Sequence, residues 1–199
     1  MKKIVNIIQR QQIFHRFVFR IDELKLTHER YDGTMSPEIT RLILERGDSV
    51  AVLLHDTETD ILLLCEQFRA PTLEKDSGWM VEVLAGILES GEEPEECAQR
   101  EAFEETGYAP RALQRIACVY LSPGGSSERI HLYYAEVSLT DKVGGGGGLV
   151  AEAEDIRLIR LPVKEALAQA ATGAIRDAKT LIAIQWLELQ RSGRNRLSE

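Results

Sequence analysis

Residues 86–108 read GILESGEEPEECAQREAFEETGY. Pro94 suits the first turn of a helix, where its missing N–H leaves no bond unmade, and Gly107 suits the stop at the other end. The twelve residues between them, EECAQREAFEET, contain no breaker. On that helix Glu101, Glu104 and Glu105 stand at i, i+3 and i+4, so their carboxylates project to one side. Like charges this close repel, and a helix gains nothing by crowding them unless a counter-charge is present. Arg100, four residues before Glu104, offsets part of the repulsion. The remainder points to a hard divalent cation, because carboxylate oxygens suit Mg²⁺ or Mn²⁺. No His or Cys is interleaved as a zinc site would require. A solvated acidic face is the competing reading of a bare EExxE run. Gly86, Glu92, Arg100 and Gly107 stand at set spacings around the glutamates. Glu93, Glu95 and Glu96 fall outside the pattern and read as solvent-facing.

The chain has 199 residues, enough for one sizeable core and a small accessory subdomain. A hydrophobic content of 44% is that of an ordinary globular protein. The net charge of −8 argues against a broad nucleic-acid-binding surface, and it requires any anionic substrate to meet a local basic site and metal. Cys65, Cys97 and Cys118 are odd in number and form no C-x-x-C, as expected of reduced thiols in an intracellular protein. The opening MKKIVNIIQRQQIF lacks an apolar stretch long enough for a signal peptide, and no run approaches a membrane span. A cytoplasmic location is the expectation.

Residues 13–31 alternate loosely and predict two strands around Asp22–Glu23, ahead of the main domain. SVAVLLHD (49–56) and ILLLCEQF (61–68) are apolar runs joined by TETD, a hairpin of buried strands. Residues 79–84 read as a strand leading into the acidic stretch. Residues 112–121 and 129–137 read as strands on either side of SPGGSSE, and residues 156–161 as a short one. Five consecutive glycines at 144–148 predict a flexible loop. Residues 162–172 and 174–190 read as helices, the second with an apolar stripe of Ile175, Ala178, Leu181, Ile182, Trp186 and Leu189. Trp79 and Trp186 read as core residues. The mixed order of strands and helices predicts an α+β fold or an α/β/α sandwich.

The spacing G, five residues, E, seven residues, then R-E-A-x-E-E-x-G and a bulky residue resembles the signature box of the Nudix hydrolases, which cleave a diphosphate linked to another group. Seven specified positions over 22 residues make the pattern specific, and this resemblance decides against the solvated acidic face. Three further segments narrow the resemblance. SPGGSSER at 122–129, with Pro123 fifteen residues beyond Tyr108, is similar to the ADP-ribose pyrophosphatase branch. AEAEDIR at 151–157 resembles that branch's mobile acidic loop. TGAIRDAKTLIAIQWLEL at 172–189 resembles the closing helix shared by ADP-ribose and GDP-mannose pyrophosphatases. With ERG at 45–47 and EQFR at 66–69, the resemblance covers most of residues 30–190.

The resemblance implies a mixed sheet between helices, with the box helix packed against it. It divides the chain into an N-terminal β subdomain (1–45) that dimerises and a hydrolase domain (46–199). The carbonyl of Ala85 and the carboxylates of Glu101 and Glu105 would hold divalent metal, Mg²⁺ or alternatively Mn²⁺. Glu154 would approach the metal from the mobile loop when substrate is bound, and Glu152 would be the general base, with Glu104 the next catalytic carboxylate of the box. Arg69 would contact the diphosphate, Arg41 the nucleotide end, and Glu128 would help orient substrate. Glu92 and Arg100 would brace the loop–helix–loop. The implied reaction is ADP-ribose plus water giving AMP and ribose 5-phosphate. GDP-mannose or another nucleoside diphosphate sugar is the alternative substrate. A nucleotide-binding sensor without turnover is the reading from a different class, and the intact box argues against it. The implied assembly is a homodimer in which the N-terminal strands are exchanged and Arg41 acts in trans.

Overall fold

The computed structural model describes residues 3–110, 112–140, 142–149 and 154–196. The chain forms two compact units, Met1–Asp48 with Tyr120–Arg129, and Ser49–Val119 with Ile130–Glu199.

The first unit is a three-stranded antiparallel sheet of β1 (Val5–Arg16), β2 (Phe19–His28) and β3 (Ile39–Glu45), in that order. The hairpin turns at Phe17 and Val18, since Arg16 pairs with Phe19. The Asp22–Glu23 pair expected at the turn lies instead inside β2. There Asp22 is buried and accepts a hydrogen bond from Arg10 Nε at 2.7 Å, across the register that sets it opposite Gln12. A cross-strand guanidinium makes a strand position tolerable for an aspartate that would otherwise mark a loop. Phe17 takes a φ of +54°, a left-handed conformation that side-chain-bearing residues adopt at a cost. β3 was not anticipated. The SPGGSS segment is clipped to it: Leu44 N–H donates to the Gly125 carbonyl (2.8 Å) and Ser127 N–H to the Leu44 carbonyl (3.1 Å).

The second unit is a mixed sheet packed between helices. Its sheet runs β10–β5–β4–β9–β8, with β4 (Ser49–Asp56), β5 (Ile61–Phe68), β8 (Gln114–Tyr120), β9 (Arg129–Glu136) and β10 (Arg157–Pro162). β4 is antiparallel to β5 and parallel to β9, so the sheet is mixed and the fold is α+β. Residues 79–84 form two strands rather than one. β6 (Trp79–Glu82) pairs with β5, and after Val83 the chain crosses to pair β7 (Leu84–Ile87) with β4.

β4 is buried along its whole length, which explains its nearly unbroken apolar sequence. Its alternate residues serve two cores. Ala51 and Leu53, with Leu62 and Leu64 of β5, pack toward α2 (Val163–Thr172) and α3 (Ala178–Arg196). Val50, Val52 and Leu54, with Leu63 and Cys65, pack toward α1 (Pro94–Thr106). Each fully buried leucine stabilises the fold by roughly 1.5–3 kcal/mol. Ala98 and Ala102 let α1 lie close to the sheet, which places the rest of that helix face at the sheet's surface.

α3 presents a different face from the one its apolar residues suggest. Ala183, Ile184 and Leu187 are buried together with Lys179 and Thr180, while Leu189 is 65% exposed. Polar anchors set this rotation. Asp177 accepts from Thr180 N–H (2.9 Å), and Thr180 Oγ1 accepts from Val83 N–H (2.8 Å). Trp79, read as core, is half exposed and stands edge-on to Phe68 with ring centroids 5.7 Å apart. Among the described residues no helix is long and apolar enough to cross a membrane.

Candidate active site

α1 begins and ends where its sequence signals place it. Pro94 occupies the first turn, Glu93 N–H donates to Glu96 Oε2 (3.4 Å), and Gly107 closes the helix at φ +79° with its N–H on the Phe103 carbonyl (2.8 Å). Glu93 and Glu96, expected only to face solvent, are exposed and also secure the helix start.

Arg100 organises the carboxylates. Its Nε donates to Glu92 Oε1 (2.9 Å) and its Nη2 to Glu92 Oε2 (3.1 Å). Its Nη1 reaches Glu101 (2.8 Å) and Glu104 (3.1 Å). These contacts bring Glu92 down to about 2, with Arg100 as the chief cause and the Glu89 N–H contributing. Gly86 lies directly against the Glu101 carboxyl group, so that a Cβ at this position would occupy the same space. The glycine is therefore required by close approach, not by backbone conformation.

Glu105 differs from its neighbours. It is 3% exposed, and among the described residues its Oε2 has no hydrogen-bond partner. Burial, then the charges of Glu101 and Glu154, push its carboxyl up to about 8, against a hydrogen bond from the Ala85 backbone and the charge of Arg69. Burial likewise raises Glu101. Crowded carboxyl groups, one of them with an orphaned oxygen, are costly unless a cation joins them. An oxygen-ligated divalent ion fits this donor set. Among the described residues, no three carboxylate, imidazole or thiol side chains by themselves form a metal cage.

Next to these carboxylates lies an ion network that sequence reading missed. Glu82, 3% exposed, accepts from Arg69 Nε at 2.6 Å and is ion-paired to Lys179. Lys179 also contacts Asp177 Oδ1 at 2.8 Å. Burial opposes the charge on Lys179, and the two carboxylates more than restore it. The available signal was a glutamate within the apolar run 79–85 and a lysine on the inward face of an apolar helix.

The structure brings Ala85, Glu101, Glu104, Glu105, Glu154 and Arg69 into one unit, with electrostatic coupling among Glu101, Glu105, Glu154 and Arg69. Arg41 and Glu128 belong to the first unit. Arg41 lines an apolar cleft of about 560 Å³ with Leu24, Leu26 and Pro123, and Glu128 Oε1 lies 3.8 Å from Arg46 Nε. Glu152 lies outside the described residues. The glycine run lies in a loop, as expected, and within it Gly147 N–H donates to the Glu105 carbonyl (2.8 Å) and Gly148 N–H to the Glu104 carbonyl (3.2 Å).

Comparison with known proteins agrees with this architecture. The family model of the NUDIX domain matches residues 45–184. A GDP-mannose pyrophosphatase of Pectobacterium atrosepticum is 38% identical over 177 residues, covering 87% of this chain and 85% of its own. A GDP-mannose pyrophosphatase of Citrobacter koseri is 40% identical over 149 residues, covering 74% and 76%. An ADP-ribose pyrophosphatase of Escherichia coli K12 is 36% identical over 189 residues, covering 94% and 90%. A crystal structure described as an ADP compounds hydrolase shares the fold, with a TM-score of 0.73 at 18% identity over 96% of both chains. The box helix with its gathered carboxylates, the mixed sheet it packs on and these relatives agree: the chain belongs to the Nudix hydrolase family.

Proposed function

We propose that this protein is a divalent-metal-dependent pyrophosphatase of nucleoside diphosphate sugars, and that it hydrolyses ADP-ribose to AMP and ribose 5-phosphate. The observation that carries the reading is Glu105, a buried carboxylate with an unpartnered oxygen, set beside Glu101 and Glu154. In this reading the Glu101 and Glu105 carboxylates and the Ala85 carbonyl would hold Mg²⁺, or Mn²⁺ in its place, and Glu154 would join them. When bound, such an ion neutralises diphosphate charge and lowers the pKa of coordinated water.

The chain's own groups do the rest. Arg69, held by Glu82 at 2.6 Å, presents its guanidinium to the diphosphate. Glu152 takes the proton from the attacking water, with Glu104 the next carboxylate able to do so. The water oxygen bonds to one phosphorus, the bridging P–O bond breaks, and the leaving phosphate departs with the bridging oxygen. Arg41 serves the nucleotide end of the substrate, and Glu128 helps orient it.

GDP-mannose is the second reading, and the 38–40% identity to GDP-mannose pyrophosphatases favours it. The SPGGSSER segment supports ADP-ribose. Purified protein with Mg²⁺ is offered each substrate in turn, and products are separated by chromatography. A higher kcat/KM for ADP-ribose, with AMP released, supports the assignment; preferential cleavage of GDP-mannose replaces it. Absence of turnover on both leaves another nucleoside diphosphate sugar or the nucleotide-binding sensor.

Residues 1–45 are proposed as a dimerisation subdomain, with Arg41 acting in the partner's site. Every residue of β1 is exposed, including Ile7 at 63% and Ile8 at 54%, and an edge strand so apolar invites a partner. The three free cysteines accord with a cytoplasmic location.

A further inference from the structure

We propose that Gly146, Gly147 and Gly148 form a positioning segment that ties the chain to the C-terminal end of α1 and thereby sets Glu154 against the helix carboxylates. The last carbonyls of a helix have no partners within it. Here the following chain returns to supply them. Val143 and Gly144 both donate N–H to the Gly107 carbonyl (2.9 and 3.0 Å). Gly147 and Gly148 then donate to the carbonyls of Glu105 and Glu104, two of the box glutamates.

Only glycine fits this path. Gly146, Gly147 and Gly148 have φ of +68°, +99° and +82°, where side-chain-bearing residues are strained. Space is also lacking. A Cβ on Gly146 would lie 2.5 Å from the Thr106 carbonyl carbon, and one on Gly148 would lie 2.6 Å from Glu154 Oε2 and 2.7 Å from Glu154 Cβ. Gly145 has neither constraint: its φ lies outside the left-handed region, and among the described residues nothing lies within 4 Å of its Cβ position.

The same segment holds Glu154 from the other side. Leu149 N–H donates to Glu154 Oε2 (2.9 Å), and Ile156 N–H returns to the Gly147 carbonyl (3.3 Å). Glu154 is thus fixed by backbone that is itself hydrogen-bonded to Glu104 and Glu105. A side chain at position 148 would displace the carboxylate from that arrangement. The inference rests on Glu154 belonging to the metal-binding set.

The test compares Gly148→Ala, Gly145→Ala, Glu154→Gln and the double variant Gly148→Ala/Glu154→Gln. Calorimetric titration of metal-free protein with Mn²⁺ is the readout, which global stability does not move while the protein stays folded. Gly148→Ala and Glu154→Gln should each weaken Mn²⁺ binding about tenfold or more. The double variant should be no weaker than Glu154→Gln alone, and Gly145→Ala should match the wild type. Wild-type Mn²⁺ affinity in Gly148→Ala, with weakened binding in Glu154→Gln, overturns the positioning role alone. Wild-type affinity in Glu154→Gln overturns the reading of Glu154 and the inference with it. Should Gly148→Ala not fold, hydrogen exchange on the wild type decides. Protected amides at Gly147 and Gly148 are expected, and exchange at the rate of an unstructured chain refutes the segment.

Discussion

Glu92→Gln isolates the electrostatic brace beneath the box. Glu92 takes two hydrogen bonds from Arg100 and one from the Glu89 N–H, and its carboxyl falls from the usual 4.5 to about 2. That difference corresponds to about 3 kcal/mol of folded-state preference for the carboxylate. Arg100 is 29% exposed, so solvent screening reduces the figure to about 2 kcal/mol. The sign follows from the depressed value. The contribution is present in full above the unfolded-state value near 4.5, and it is lost as pH falls from there through about 2. Glutamine keeps the shape and the acceptor oxygen but not the charge. At pH 7 the variant should therefore melt roughly 4–8 °C below the wild type, given about 2–4 °C per kcal/mol for a chain of this size. The two curves should converge as pH approaches 2. Circular dichroism melts in chelator, at several pH values between 7 and 2, make the comparison. Equal stability at pH 7, or a gap that persists at pH 2, refutes the argument.

Lys179→Met should cost about 3 kcal/mol in urea unfolding, because it leaves Glu82 buried with Arg69 as its remaining cationic partner; a cost below about 0.5 kcal/mol would mean that Arg69 alone neutralises Glu82. Glu105→Gln should retain the wild-type circular dichroism spectrum and lose about a thousandfold in Mg²⁺-dependent turnover, and wild-type turnover would remove Glu105 from the metal site. Gly86→Ala should cut activity sharply by displacing the Glu101 carboxyl group, and near-normal kcat would show that Glu101 can move without consequence. Light scattering at micromolar concentration should give the mass of a dimer; a fully active monomer would exclude exchange of the N-terminal strands.

The outcome at each element follows how far apart in sequence its determinants lie. The hairpin of β4 and β5 was legible because two apolar runs flank a four-residue polar turn. The single strand expected over residues 79–84 was not, because the switch at Val83 depends on which neighbours β6 and β7 meet, and nothing in the run itself marks it. The turn expected at Asp22–Glu23 failed for the same reason: an aspartate paired to an arginine 12 residues earlier is a strand residue, and only the register reveals the pairing.

What the sequence alone determined was the box helix and the alignment of its carboxylates. Pro94, Gly107 and the i, i+3, i+4 spacing of Glu101, Glu104 and Glu105 act within one or two turns, where helix geometry leaves no choice of neighbours. What only the tertiary structure decided lies at long range. Glu82 meets Lys179 across 97 residues and, with Asp177 and Thr180, sets the inward face of α3. Gly86 is obligatory because Glu101 lies against it from 15 residues away, and the glycine run is a bonded segment because α1 ends with open carbonyls beside it. Each of these depends on groups that packing brings together. A carboxylate or a glycine has the same local propensity whether or not such a partner arrives, so no local pattern could have announced them.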